Sequence, residues 1–94
     1  MIVRLKIENP TLEAFTYPEF VSMLEQDDDY LCRHLGNFKF LGKLVYKGTF
    51  PDTYKFYDGG KTMEPGQVLI MHRDNIVEII PEKIFKIKYE VGSV

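Results

Sequence analysis

Met63-Glu64-Pro65-Gly66-Gln67-Val68-Leu69-Ile70-Met71-His72-Arg73-Asp74-Asn75-Ile76-Val77-Glu78-Ile79-Ile80-Pro81-Glu82-Lys83-Ile84-Phe85-Lys86-Ile87-Lys88-Tyr89-Glu90-Val91 alternates apolar runs with turn signals and forms one cassette. Pro65-Gly66 is a turn dipeptide that launches an apolar strand over residues 68–71, and Arg73-Asp74-Asn75 supplies the reversal into a second strand over residues 76–80. The two make a hairpin. Pro81 then opens a single helical turn through Phe85, because its fixed φ suits the start of a helix and Glu82 complements the exposed N–H groups. Phe85, Ile87, Tyr89 and Val91 alternate with Lys86, Lys88 and Glu90, the period of a closing strand.

Working backward, residues 38–57 are aromatic and β-branched with glycine punctuation, which is strand territory. Phe38, Phe40, Leu44 and Tyr46 share one parity around Gly42, where a bulge or a close approach is expected. Pro51-Asp52 marks a loop, and the strand that resumes at Tyr54 stops at Asp58-Gly59-Gly60. Thr16, Pro18 and Glu19 are helix-start signals, and Phe20, Met23 and Leu24 fall on one helical face. Asp27 interrupts that face before Leu31 and Leu35 resume it, with Gly36 as a C-cap, so the helix is either one long element or a short one ending at the acidic run. Val3, Leu5 and Ile7 alternate with charged residues in a first strand that Asn9-Pro10 breaks, and residues 11–17 make a weaker second strand because Phe15 falls on the wrong parity. The fold class expected is α+β: a bent antiparallel sheet or partly open barrel of about five to six strands, with one helix from about residue 18 packed on it.

The chain has 94 residues, which suits a single domain over 1–94, and its hydrophobic content of 45% against 28% charged residues is that of a globular protein. The longest apolar run is four residues, too short to span a bilayer, and nothing resembles a signal peptide; a cytoplasmic protein without membrane association is expected. Cys32 is the only cysteine, so no internal disulfide forms. Charge is segregated. Residues 8–32 hold seven acids and no Lys or Arg, whereas residues 33–57 hold five bases against Asp52 alone. Such a dipole either pairs within the monomer or steers a charged partner.

The closing stretch resembles a group of small phage-encoded proteins of unassigned function. Their C-terminal halves carry a Pro-Gly start, an aliphatic or aromatic strand, a polar turn, a short strand, a Pro-Asp-Ile-Phe-like turn and a Tyr-Glu ending. The matching residues here are Pro65-Gly66, Val68-Leu69-Ile70, Pro81 with Ile84-Phe85, and Tyr89-Glu90, with an echo in Leu12-Glu13-Ala14-Phe15-Thr16-Tyr17. Gln67 stands where that group has an acid, and Val68 where it often has tryptophan or tyrosine. The resemblance implies a phage origin, with the cytoplasm of an infected or lysogenic host as the location, and implies no activity.

Catalytic and metal signatures are weak. Cys32 and His34 are two apart, so a helix would point them away from each other, and His72 is the only further strong nitrogen donor; a buried thiol beside a surface histidine accounts for them best. Asp27-Asp28-Asp29 lacks the spacing of a calcium loop and reads as a solvated acidic run. Asp58-Gly59-Gly60-Lys61-Thr62 ends in Gly-Lys-Thr but lacks the upstream glycine of a phosphate loop, and reads as a strand-end turn. No cofactor, metal site or catalysis is expected. The remaining candidate is the aromatic and basic density before the closing stretch, with Tyr46, Tyr54, Tyr57, Lys43, Lys47 and Lys55 as binding residues. Its rings serve the core, a protein interface, or the stacking of nucleotide or single-stranded nucleic-acid bases. The first expectation is a non-catalytic binder, or an inhibitor, of a host or phage protein; the alternative is a nucleotide or single-stranded nucleic-acid binder.

Overall fold

The computed structural model describes residues 1–6, 11–25, 37–72 and 75–91. In chain order the elements are β1 (Ile2–Leu5), β2 (Thr11–Thr16), α1 (Tyr17–Glu25), β3 (Asn37–Phe40), β4 (Lys43–Lys47), β5 (Tyr54–Phe56), β6 (Thr62–Met63), β7 (Gln67–Met71), β8 (Val77–Pro81), α2 (Glu82–Lys88) and β9 (Tyr89–Val91). The architecture is α+β, as the sequence suggests. Its strands, more numerous than the five or six expected, form two antiparallel sheets and no closed barrel: a five-stranded sheet in the order β8-β7-β2-β1-β9 and a four-stranded sheet in the order β3-β4-β5-β6. The outermost strands are short: β6 has two residues, β9 three and β3 four, while the five residues of β8 end in proline.

The hairpin read from residues 68–80 is present as β7 and β8, in register from Gln67 opposite Pro81 to Met71 opposite Val77. Asn75 sits at φ 66°, its N–H donating to the His72 carbonyl. Val68, Leu69 and Ile70 are all buried, because β7 is covered on both faces. Leu69 joins Phe15, Phe20, Leu24, Phe40, Val45, Phe56, Met63 and Val77 in a core between the five-stranded sheet, α1 and the four-stranded sheet. Val68 and Ile70 point the other way, into a second core with Val3, Leu12, Ala14, Phe85 and Tyr89. The parity of Phe15, a weakness in the sequence pattern, has the same cause: Ala14 faces one core and Phe15 the other.

Helix α1 begins in a capping box. Thr16 donates its N–H (3.1 Å) and its hydroxyl (2.9 Å) to Glu19 Oε1, and Glu19 N–H reaches back to Thr16 Oγ1 at 3.4 Å. Burial acts to raise the Glu19 carboxyl pKa, but the two Thr16 donations and the Met1 ammonium outweigh it and hold the carboxyl below its usual value. The helix delivers Phe20 to the centre of the first core, with ring centroids 4.9 Å from Phe40 and 5.9 Å from Phe56. Edge-to-face contact of Phe15 with Phe40 at 5.1 Å extends the cluster. The continuation of the helix through Leu31 and Leu35 to Gly36, the break at Asn9-Pro10, and Arg73-Asp74 lie outside the described residues.

Two sequence readings are corrected. Gly42 is no bulge: Leu41 (φ 48°) and Gly42 (φ 82°) are both left-handed and form a two-residue turn joining β3 to β4. The reversal sends Phe38 and Phe40 inward while Leu44 and Tyr46, of the same parity, point outward. The single helical turn after Pro81 runs on to Lys88, with Pro81 as N-cap, leaving only residues 89–91 as strand. Phe85 and Tyr89 are four apart, a spacing that suits a helix as well as an alternating strand, and their rings stack at 5.6 Å. Ile87 is consequently 67% exposed.

Thr16→Ala, which removes the cap hydroxyl, is expected to cost about 1 kcal/mol, measured by urea unfolding at neutral pH. Because the Glu19 pKa is lowered in the fold, its contribution is complete above the ordinary glutamate pKa and is lost as pH falls through the folded value. The difference between Thr16→Ala and the parent therefore narrows in acid. Leu41→Asn is expected to raise stability by roughly 0.5–1 kcal/mol, since asparagine tolerates left-handed backbone and the leucine side chain is half exposed.

Candidate functional site

In the four-stranded sheet the register decides which side chains share a face. Asn37, Tyr46, Lys55 and Thr62 stand opposite one another in one row, and Lys39 stands opposite Leu44 in the next. The Tyr57 N–H donates to the Leu44 carbonyl at 3.1 Å and brings Tyr57 into this second row. These residues form the outer face. The inner face, carrying Phe38, Phe40, Val45, Tyr54, Phe56 and Met63, packs on the first core.

Of the six residues singled out in the sequence, Tyr46, Tyr57 and Lys55 come together on the outer face. The Tyr46 and Tyr57 rings lie 4.6 Å apart, tilted by 52°, and the Tyr57 hydroxyl donates to Asn37 Oδ1 at 2.8 Å. Both rings are thereby oriented, with Tyr57 57% exposed. The other three are elsewhere. Tyr54 packs inward, its ring 5.7 Å from Phe20 and 5.9 Å from Phe38. Lys43 and Lys47 also share the inner parity, beyond either end of the core; Lys43 pairs with Asp58 at 3.6 Å and Lys47 is exposed. The separation follows from pairing: Lys47 stands opposite Tyr54 and Tyr46 opposite Lys55, so residues of equal parity in β4 and β5 face opposite ways.

Leu44 (44% exposed) and Phe50 (75% exposed) belong to the same candidate surface although their chemistry did not single them out. Phe50 tops the loop of residues 48–53, which is held from within. Gly48 N–H donates to the Thr53 carbonyl at 2.8 Å, and the Thr53 hydroxyl donates to the Phe50 carbonyl at 2.6 Å. From outside, the Tyr17 hydroxyl donates to the Asp52 carbonyl at 2.7 Å. A Cβ on Gly48 would run into the Thr53 side chain, so only glycine fits. Phe50 and Lys55 line one cleft of about 360 Å³, which joins the loop to the sheet face.

A polar cluster lies on the opposite side of the molecule's five-stranded sheet, against α2. Glu78 accepts from the Tyr89 hydroxyl (2.6 Å) and Lys88 Nζ (3.1 Å), and its Oε1 lies 3.2 Å from His72 Nε2. Burial acts to raise the Glu78 pKa, but the hydrogen bonds from Tyr89, Lys88 and His72 prevail and lower it. Burial, then the Glu78 partner, push the Tyr89 phenol well above its usual value. With three partners around one carboxylate, the cluster acts as a clamp between β8 and the α2–β9 segment. Among the described residues, no group of three His, Cys, Asp or Glu could hold a metal ion, and no helix is long and apolar enough to cross a membrane. Asp27-Asp28-Asp29, Cys32 and His34 lie outside the described residues.

Comparison of the chain with family models, curated proteins and solved structures gave no match.

Tyr89→Phe removes a hydrogen bond to an ionised carboxylate and is expected to cost about 1–3 kcal/mol at pH 7. The Glu78 pKa is lowered in the fold, so its contribution is present above the ordinary glutamate pKa and is lost as pH falls through the folded value. The penalty of Tyr89→Phe should therefore shrink in acid, as read by urea unfolding at pH 7 and pH 3. The raised Tyr89 pKa works in the other direction: its contribution is complete below about pH 10 and is lost as pH rises further.

Proposed function

We propose that this chain is a small accessory protein, phage-encoded like the group it resembles, that works in the cytoplasm of a bacterial host by binding another protein without catalysis. The observation that carries the reading is the outer face of the four-stranded sheet. Leu44, Tyr46 and Tyr57 form a contiguous apolar and aromatic patch, Lys39 and Lys55 flank it, and no carboxylate occupies either described row. Oriented tyrosines lose little conformational freedom on binding, and aromatic residues surrounded by polar ones dominate the energetics of protein interfaces. Lys55 favours an acidic partner surface. Phe50, presented by a braced loop, adds a second anchor at the margin.

The single-stranded nucleic-acid or nucleotide reading draws on the same Tyr57 with Lys55 and Lys39. It fits less well, because Tyr46 and Tyr57 lean on each other and so offer less free ring face for bases to stack on.

The test is capture from bacterial lysate by the tagged protein and by variants that retain its thermal unfolding midpoint. Leu44→Glu and Tyr57→Ala are each expected to weaken capture of a discrete partner about tenfold or more, equivalent to ~1.4 kcal/mol. Ile87→Glu, on the exposed side of α2, is expected to leave it unchanged. Equal capture by all variants, or no discrete partner at low and moderate salt, would count against the proposal. Binding of a single-stranded oligonucleotide that weakens steeply with salt would favour the second reading.

A further inference from the structure

Away from that face, the turn between β5 and β6 and residues 75–77 at the start of β8 enclose a cleft of about 320 Å³. Lys61, at the end of that turn, donates from Nζ to the Val77 carbonyl and ties the turn to β8. Lys43 enters from the start of β4. Asp58, Asn75 and Ile76 complete the rim, with the buried Phe56 beneath. Among the described residues, two ammonium groups thus meet one carboxylate.

Lys43 and Asp58 are unequal partners. The lysine side chain is only 15% exposed, so its position is fixed by its surroundings, whereas the aspartate is 87% exposed. Their separation of 3.6 Å is ionic contact without a hydrogen bond, although an ammonium carries three donors. Lys61 has committed one of its three to Val77. Among the described residues, the cleft therefore holds more donors and more positive charge than Asp58 satisfies. A carboxylate so fully hydrated gains little from a single exposed pairing and is easily displaced. Ile76, 53% exposed at the rim, offers apolar contact to the carbon portion of a ligand.

We propose that this cleft binds a small molecule through a compact oxyanion, a phosphate or carboxylate group held between Lys43 and Lys61, and that Asp58 occupies the Lys43 ammonium until the ligand displaces it. The turn Asp58-Gly59-Gly60-Lys61-Thr62, which in sequence is only a fragment of a phosphate loop, thereby acquires a binding role of a different geometry. Its backbone bends through left-handed Gly59 (φ 79°) and Gly60 (φ 63°) to set Asp58 and Lys61 on the same cleft.

The experiment is a heteronuclear NMR titration with inorganic phosphate, acetate and chloride at constant ionic strength, which removes general screening as a cause of shifts. Phosphate or acetate should give saturable shifts at the amides of Gly59, Asn75 and Ile76, and whichever binds more tightly names the group. Asp58→Asn removes the internal competitor and should tighten binding about three- to tenfold, while Lys43→Gln should weaken it about tenfold or more. No saturable shift in either the parent or Asp58→Asn, equal response to chloride, or an Asp58→Asn affinity no greater than that of the parent would overturn the proposal. Asp58 is exposed, so its variant keeps the comparison decisive even where Lys43→Gln destabilises the fold.

Discussion

The two-sided burial of β7 is the constraint on which the rest of the structure depends. Val68 and Ile70 project into one core and Leu69 into the other, so a single strand must be covered on both faces. On one side the cover is α2, which brings Phe85 across the sheet and leads directly into Tyr89. On the other it is α1 with the four-stranded sheet, meeting through the rings of Phe20, Phe40 and Phe56. Neither cover is dispensable, because withdrawing one exposes half of the same strand to water. The two cores are coupled through a shared backbone.

This arrangement explains why the smaller sheet has a face to spare. The five-stranded sheet is flanked by α1 and the small sheet on one side and α2 on the other, whereas the four-stranded sheet has only its inner face in the core. An antiparallel sheet of this kind ordinarily turns polar residues outward. Here the outer face carries Leu44, Tyr46 and Tyr57 alongside Lys39 and Lys55, and the tyrosine rings are fixed by each other and by Asn37. Order in exposed aromatic side chains makes this face a stronger candidate than the equally apolar but separate Ile84 and Ile87 on α2.

Local chemistry was legible in the sequence wherever it was self-contained. The hairpin of β7 and β8, the start of α1 at Thr16 and Glu19, and the strand character of residues 11–16 depend on neighbours in the chain. What was illegible depends on pairing across space. Tyr46 and Tyr54 have equal parity yet face opposite ways, because the register that sets Tyr46 against Lys55 also sets Tyr54 against Lys47. Phe15 breaks the alternation of β2 only if one face of the sheet is assumed to be wet. Phe85 and Tyr89 satisfy both the helical and the extended period, and the choice between them falls to the second core. For the candidate surface, residue types single out a stretch of chain, but only the register separates the rings that face water from those that fill the interior.

The short margins of both sheets bear on how the chain behaves when crowded. A strand at the end of a sheet offers unpaired backbone groups to any copy that collides with it, and long flat margins seed fibres. Here β6 offers two residues, β9 three and β3 four, and Pro81 withholds a donor from the end of β8. With each margin brief among the described residues, encounters between molecules at high expression are steered away from edge-to-edge polymerisation. The outer face can then carry exposed apolar and aromatic side chains without turning the protein into its own precipitant.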